Sequence, residues 1–193
     1  MSQLRMILDT AEFSVAEPVV AEGYRLTRRG PEYAEIYCRL RNRAGWGNPD
    51  QTPEEFLADQ QKFLVDHVLP EGLIICEDVA TGIPCASATA EVSDYEEYPH
   101  LGVLGQVMSD PAVRGKGLGK AVCLAAMRVC VEQGRRYLAL LTDDWRIPAV
   151  KIYLGTGWRP WITEEDMPGR WQKICQDLGY DYSTLKIYTE VPG

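Results

Sequence analysis

A glycine-rich turn offers the clearest chemistry in the sequence. It reads Arg114-x-x-Gly117-x-Gly119, with Lys116 and Lys120 adding positive charge, and it lies where a predicted strand passes into a predicted helix. Glycines let the backbone approach a ligand closely. The first turn of a helix presents unpaired N–H groups and the positive end of the helix dipole. In this position the pattern predicts a pyrophosphate site.

Two common phosphate-binding loops are excluded by spacing. A Walker loop has a glycine five residues before its Gly-Lys pair and a Ser or Thr directly after it. Here Arg114 stands five residues before Gly119-Lys120, and Ala121 follows. A dinucleotide-binding loop that began at Gly115 would need its third glycine at position 120, which is Lys120. Neither a nucleoside-triphosphatase loop nor a Rossmann loop is therefore predicted.

The elements that position this turn follow from the spacing of apolar residues. Apolar runs predict strands at 24–27, 73–77, 85–92, 102–108, 137–141 and 186–191. Helical spacing, first-turn prolines and terminal glycines predict helices that begin near 30 and 52, and at 118–132, 147–154 and 170–178. This order predicts one α/β domain, with a mixed sheet flanked by helices, over residues 22–193. Residues 1–21 are predicted to be an N-terminal extension.

Composition and charge exclude several classes of protein. The chain has 193 residues, with 20 Lys and Arg against 28 Asp and Glu, a net charge of -8, which argues against nucleic acid as a partner. No apolar stretch is long enough to span a membrane, and Asp9 and Glu12 interrupt any signal peptide, so we expect a cytoplasmic protein. The six cysteines form no C-x-x-C pair and the two histidines do not stand beside them, so no metal site is predicted.

Two longer stretches resemble a known family. Residues 107–120 (VMSDPAVRGKGLGK) resemble the acetyl-CoA signature of the GNAT superfamily of N-acetyltransferases, and residues 149–158 (AVKIYLGTGW) resemble its second motif. With the matching order of strands and helices, the resemblance covers about residues 22–191. Two positions depart from the family, since Arg146 stands where Asn is frequent and Trp158 where Phe is usual.

The resemblance implies a fold and a co-substrate. Its sheet splays apart between the strand that ends near Met108 and the strand that ends near Thr142, and acetyl-CoA lies in the gap. A main-chain N–H near Met108 would polarise the thioester carbonyl. The implied pantetheine contacts are the backbone groups of Val107, Met108 and Ser109. The implied pyrophosphate contacts are the amides of Arg114, Gly115, Lys116, Gly117, Leu118, Gly119 and Lys120.

The resemblance also implies how protons are handled. An alkyl amine is mostly protonated at pH 7 and must lose a proton, while the departing thiolate needs one. Tyr153 is the predicted proton donor, because its counterpart has this role in many members of the family. The base stays open among Glu91, Asp143 and Asp144, all expected to face the splay, and solvent can also serve. Asp144 could instead cap the following helix.

The implied reaction is acetyl transfer to a primary amine of a small molecule or a peptide. Acidic loops at 93–98 and 163–166, together with Trp46, Trp145, Trp158 and Trp161, favour a cationic or aromatic amine. The alternative is a non-catalytic acyl-CoA-binding module of the same fold, and a third hypothesis is an unrelated α/β domain. A homodimer is compatible with the sequence, since many members of the family form dimers.

Overall fold

Seven strands form one mixed sheet in the part of the chain that the structure describes. The structure is a computed structural model and describes residues 2–191. The strand order is β2-β3-β4-β5-β6-β1-β7. The strands are β1 (Leu4–Asp9), β2 (Tyr24–Arg29), β3 (Val68–Asp78), β4 (Pro84–Val92), β5 (Gly102–Ser109), β6 (Tyr137–Thr142) and β7 (Arg159–Trp161). The helices are α1 (Ala34–Arg43), α2 (Pro53–Asp66), α3 (Leu118–Glu132), α4 (Ile147–Gly155) and α5 (Met167–Leu178).

Local sequence signals set the starts of the helices. The Thr52 hydroxyl accepts a hydrogen bond from the Glu55 amide at 3.2 Å, and the Glu55 carboxylate accepts one from the Thr52 amide at 2.9 Å. This reciprocal pair is a capping box, and it fixes the start of α2. Gly117 is the N-cap of α3 in a left-handed conformation, which glycine adopts without strain. The predicted helices are therefore present, although α5 begins at Met167, ahead of the predicted residue 170.

Helices cover both faces of the sheet. Residues of α1 and α2 pack with Leu73, Ile75 and Met108 in one cluster of buried side chains. Residues of α3, α4 and α5 form a second and larger cluster with the other side chains of the sheet. No helix within residues 2–191 is both long and apolar enough to cross a membrane.

The sheet opens between β5 and β6, as predicted. These two parallel strands pair only at Gly102–Leu138 and Val103–Ala139, so their later residues diverge. A bulge in β5 accompanies the opening, because Ser87 pairs with Met108 and Thr89 with Gly105, which leaves two residues of β5 opposite one of β4. Gln106, in the bulge, has a positive φ of 48°, a conformation that favours glycine.

The prediction of a separate N-terminal extension over residues 1–21 is wrong for its first part. Residues Leu4–Asp9 form β1, which pairs antiparallel with β6 on one side and with β7 on the other. Four of its side chains are fully buried, Leu4, Met6, Ile7 and Leu8. The strand therefore belongs to the interior of the sheet.

The predicted last strand at 186–191 is also wrong. Because β1 occupies the position beside β6, the C-terminal segment reaches only the outer edge of the sheet. There it makes a single bridge between Tyr188 and Trp161 of β7. The short strand β7 was not predicted, since three residues carry no alternating pattern.

Candidate functional site

The glycine turn presents unpaired backbone donors. Gly115 and Gly117 have positive φ angles of 84° and 75°, which bend the chain into the start of α3. The first bond inside the helix runs from the Ala121 amide to the Gly117 carbonyl, at 3.1 Å. The amides of Leu118–Lys120 precede that bond and so have no acceptor within the helix. This geometry suits an anionic group at the N-terminus of α3.

A cavity of about 460 Å³ opens beside this turn, and we call it the turn cavity. Lys116 and Lys120 supply positive charge at its wall. The Lys116 ammonium donates a hydrogen bond to the Tyr24 hydroxyl at 2.6 Å and lies 4.9 Å from the centre of that ring. The rest of the wall comes from α3, from the end of α4 and from residues 13–21: Phe13, Ala16, Glu17, Val19, Val20, Ala21, Gly117, Ala121, Leu124, Gly155 and Thr156.

The other residues predicted to hold acetyl-CoA lie in different environments. Arg114 is exposed and does not line the turn cavity, while the Leu118 side chain is buried in the core. The Met108 side chain packs toward α1 and α2, because successive residues of a strand point to opposite faces. Ser109 lies over the turn, where a Cβ added to Gly119 would sit 3.5 Å from its hydroxyl oxygen.

A second cavity, of about 340 Å³, lies where the sheet opens, and we call it the splay cavity. Side chains from β4, β5, β6, α4 and two loops meet there. Its walls are Gln3, Trp46, Glu91, Val103, Leu104, Gly105, Gln106, Val107, Leu141, Arg146 and Tyr153. It therefore contains Glu91 and Tyr153, two of the three predicted catalytic residues.

Glu91 is a partly buried carboxyl group on β4. Burial raises its pKa to about 7, and the hydrogen bond that it accepts from the Thr89 hydroxyl opposes part of this rise. The carboxyl group lies directly over Gly105 of β5, where an added Cβ would be 1.8 Å from Glu91 Oε1. A glycine at this position is what makes room for the carboxyl group. Glu91 can therefore exchange a proton near neutral pH.

Tyr153 is a buried phenol on α4, with 6% of its surface exposed. Its ring meets Trp158 edge to face, with 6.3 Å between centroids. Burial raises the pKa of Tyr153 well above its usual range, so the hydroxyl keeps its proton. The hydroxyl makes no hydrogen bond to any group within residues 2–191, and so its donor is free for a ligand in the splay cavity.

The two aspartates considered as bases are held in ion pairs outside the cavity wall. Asp143, the third predicted catalytic residue, pairs with Arg146 Nε at 3.1 Å and accepts a hydrogen bond from Gln3 at 3.2 Å. Asp144 binds Arg170 through two hydrogen bonds, which lower its pKa. The N-cap of α4 is Arg146, so Asp144 does not cap that helix. Of the three carboxylates, Glu91 alone lines the splay cavity.

Trp46, one of the four tryptophans predicted to line the acceptor site, lines the splay cavity, whereas Gln3 and Gln106 were not predicted there. Trp46, in the loop after α1, lies between two guanidinium groups, with Arg146 at 4.8 Å and Arg41 at 5.6 Å from its ring. Arg41 Nη1 also donates a hydrogen bond to the Gln106 side chain at 2.7 Å, which ties α1 to the bulge. A polar Gln106 within an apolar strand was a usable signal. Gln3 gives none, because it lies outside every predicted strand.

Of the predicted acidic and aromatic lining, only Trp46 is found, at the splay cavity. Neither acidic loop lines the turn cavity or the splay cavity. Trp158 and Trp161 are buried in the core, and Trp145 is 74% exposed but outside both cavity walls. Within residues 2–191, no three His, Cys, Asp or Glu side chains lie close enough together to hold a metal ion.

The chain is similar to curated proteins that are named mycothiol acetyltransferase. The chain is 27% identical to a mycothiol acetyltransferase of Pseudarthrobacter chlorophenolicus over 81% of its own length and 49% of the relative. It is 27% identical to a mycothiol acetyltransferase of Segniliparus rotundus over 73% of its length and 54% of that relative. The chain thus spans about half the length of these relatives.

Solved structures share the fold. A GCN5-related N-acetyltransferase from Sphaerobacter thermophilus matches 83% of this chain and 49% of that one, with a TM-score of 0.66 and 19% identity. The protein yncA of Salmonella typhimurium, determined with its cofactor acetyl-CoA, matches 69% of this chain and 78% of that one, with a TM-score of 0.55 and 13% identity. The model of the acetyltransferase (GNAT) family matches residues 34–158. On this match, which includes both the glycine turn and Tyr153, the chain belongs to the GNAT family of acetyltransferases.

Proposed function

We propose that the protein is an acetyl-CoA-dependent N-acetyltransferase that acts on a primary amine. The observation that carries the proposal is the pair formed by Glu91 and Tyr153 in one cavity. One group can accept a proton near pH 7 and the other keeps a proton to donate. Family membership, the name of the curated relatives and the acetyl-CoA bound to yncA support the same reaction.

The residues of the turn fit the donor. Acetyl-CoA supplies the acetyl group as a thioester. The free amides of Leu118–Lys120, with Lys116 and Lys120 beside them, would hold its pyrophosphate. Backbone groups of Val107, Met108 and Ser109, next to the bulge, would hold the pantetheine arm. The N–H near Met108 would stabilise negative charge that develops on the carbonyl oxygen.

The side chains of the splay cavity move the protons. An alkyl amine has a pKa of about 10, so most of it enters with a proton that must be removed. With a pKa of about 7, Glu91 is ionised in roughly half of the molecules at neutral pH and can take that proton on a carboxylate oxygen. The departing thiolate, with a pKa of about 8.5, can receive the proton of the Tyr153 hydroxyl. The second proton that the nitrogen loses as it becomes an amide then restores the phenol.

The acceptor that we propose is a small molecule or the amine of a short peptide segment. A cavity of about 340 Å³ is within the usual size for small ligands. The curated relatives are named for mycothiol, so a related small amine comes first in a screen. We also propose a cytoplasmic location, since all six cysteines are free thiols. A homodimer and the absence of nucleic acid among the partners stay predictions.

The test begins with acetyl-CoA binding, measured by calorimetry, for the wild type and for a Gly117→Val, Gly119→Val double variant. An amine panel follows, with thiol release as the readout. Binding that the double variant loses, together with turnover of an amine, supports the proposal. Binding with no turnover of any amine would favour the non-catalytic acyl-CoA-binding module. A wild type that does not bind acetyl-CoA would overturn both.

A further inference from the structure

The chain between β1 and β2 crosses one whole face of the sheet. β1 lies between β6 and β7, whereas β2 is the strand at the opposite edge. The connection, residues 10–23, therefore spans five strand spacings, or about 24 Å. We call residues 10–23 the strap.

The strap is fastened at several points on the face that carries α3 and α4. Phe13 packs against Gly157, where an added Cβ would lie 2.3 Å from its ring, so only glycine allows this approach. Glu17 forms an ion pair with Arg128 of α3 at 2.7 Å. Glu12 pairs with Lys186 at 2.5 Å. These contacts hold the strap over the gap between α3 and the end of α4.

The strap forms one wall of the turn cavity, and its chemistry differs from that of the opposite wall. The glycine turn presents Lys116, Lys120 and unpaired amides. The strap presents mainly apolar groups, among them Val19, which is 85% exposed, and Val20. The one carboxylate of this wall, Glu17, is paired with Arg128. A ligand that fits both walls carries phosphates on one side and a flat apolar group on the other.

We propose that the strap is the wall against which the adenosine end of acetyl-CoA binds, with Val19 and Val20 facing the base. This rests on the proposed function, because it takes the glycine turn as the pyrophosphate site. The acyl end of the donor belongs in the splay cavity, where Glu91 and Tyr153 lie. The turn cavity has neither of these groups, and its charges suit the nucleotide.

The test is a charge placed on the strap. Val19→Asp adds a carboxylate at an exposed position, so the fold is not strained, and this charge would repel the phosphates. Val65→Asp on α2 is the matched control, because Val65 is also exposed, at 62%, and contacts neither cavity. Coenzyme A binding is measured by calorimetry at low and at moderate salt. Adenosine 3′,5′-bisphosphate, which lacks the pantetheine arm, is measured by competition against coenzyme A.

We expect Val19→Asp to raise the Kd for coenzyme A by about fivefold at low salt. The rise should be smaller at moderate salt, because salt screens the repulsion. The Kd for the bisphosphate should rise by the same factor. Val65→Asp should bind both as the wild type does. Unchanged binding by Val19→Asp would overturn the role of the strap while leaving the proposed function intact. Weaker binding of coenzyme A alone would place the contact beyond the adenosine, on the outer phosphate or the pantetheine arm, and would also overturn the proposal. A wild type that binds neither probe would overturn the proposed function itself.

Hydrogen exchange gives a second readout that does not depend on a variant. Coenzyme A should slow amide exchange within residues 13–21, because the bound nucleotide would close the strap against α3. Residues 53–66 of α2, on the other face of the sheet, are the internal control and should not change. Protection at the glycine turn without protection of the strap would contradict the proposal.

Discussion

The turn cavity and the splay cavity are built in opposite ways. The anion-binding part of the turn cavity uses the backbone of one short segment, in which Gly115 and Gly117 take positive φ angles and the start of α3 supplies the donors. The splay cavity uses side chains from β4, β5, β6, α4 and two loops. The first is a local structure, and the second depends on the packing of the whole sheet.

This difference has a consequence for how each cavity responds to change. A site made of backbone groups depends on the conformation of the chain. Its affinity is therefore sensitive to substitution of the glycines and insensitive to most substitutions of the side chains around it. A side-chain site depends on the pKa of each group, so it is sensitive to burial and to single atoms. Substitutions in the two cavities should therefore separate binding of the donor from turnover.

The largest effect is expected for Glu91→Gln. The amide cannot accept a proton, so kcat should fall by about a thousandfold while the Kd for acetyl-CoA stays unchanged. In the wild type, kcat/KM should rise with pH through a midpoint of about 7, where Glu91 ionises, and the variant should lose this rise. Asp143→Asn is the matched control. A large loss of kcat in Asp143→Asn, with little loss in Glu91→Gln, would assign the base to Asp143 instead.

A smaller loss is expected for Tyr153→Phe. Removal of one buried hydroxyl takes away the proton donor and leaves the ring packing on Trp158 in place. We expect kcat to fall by about a hundredfold with an unchanged Kd for acetyl-CoA. Tyr188→Phe is the control, since Tyr188 is also buried but lies in a separate cluster with Trp161. Equal turnover in the two variants would remove Tyr153 from the mechanism.

The glycine turn should show the reverse pattern. Gly117→Val places a branched side chain at a φ of 75°, so the turn must shift and the amides of α3 lose their direction. The Kd for acetyl-CoA should rise by about thirtyfold. Gly134→Val carries the same backbone strain, at the same φ of 75°, just after the other end of α3. If both variants bind acetyl-CoA equally weakly, the loss comes from destabilised α3 and not from the turn.

Gly105→Ala tests whether turnover depends on the space that Gly105 leaves for the Glu91 carboxyl group. An added Cβ would be 1.8 Å from Glu91 Oε1, so the carboxyl group must move. We expect kcat to fall about tenfold and acetyl-CoA to bind normally, because 1 Å displacements at a reacting group are costly. Gly169→Ala in α5, where an added Cβ meets nothing within 4 Å, should behave as the wild type.

The smallest effect concerns stability. The pKa of Glu91 is about 7 in the folded protein against an ordinary 4.5, so the folded state holds this proton more tightly than the unfolded state. Stability from this group is therefore present below about pH 4.5 and is lost as pH rises to 7. Glu91→Gln should raise Tm by about 3 °C at pH 8 and not at pH 4, as measured by thermal melts. A constant difference across that range would show that the Glu91 carboxyl group is not desolvated.

The sequence could predict the local parts of the structure, but not the parts that depend on packing of the whole sheet. The capping box at Thr52 and Glu55 and the left-handed Gly117 depend on residues within one turn, and both fix the helix starts as expected. The predicted opening of the sheet is also present. That prediction depended on the family resemblance. The seven-stranded order could not be read in the same way, because strand pairing is decided by residues far apart in the chain.

The sequence alone could not show which residues line the splay cavity. Three carboxylates were equivalent in the sequence, and only the packing of Gly105 under Glu91, and the arginines that pair with Asp143 and Asp144, distinguish them. Trp46 lies in a loop and Gln3 lies just before β1, and the positions of both segments depend on tertiary contacts. Two of the four tryptophans expected to line the acceptor site, Trp158 and Trp161, are in the core, because position along the chain does not give depth.

The place of β1 within the sheet also governs the order in which the protein can fold. Leu4 pairs with Thr142 and Ile7 with Arg159, so β1 leaves the ribosome long before its partners β6 and β7 exist. Contacts between such distant residues slow folding, and in the meantime the apolar side chains of β1 stay uncovered. During synthesis this strand is therefore a natural target for chaperones, and the finished sheet closes only when the C-terminal third of the chain has emerged.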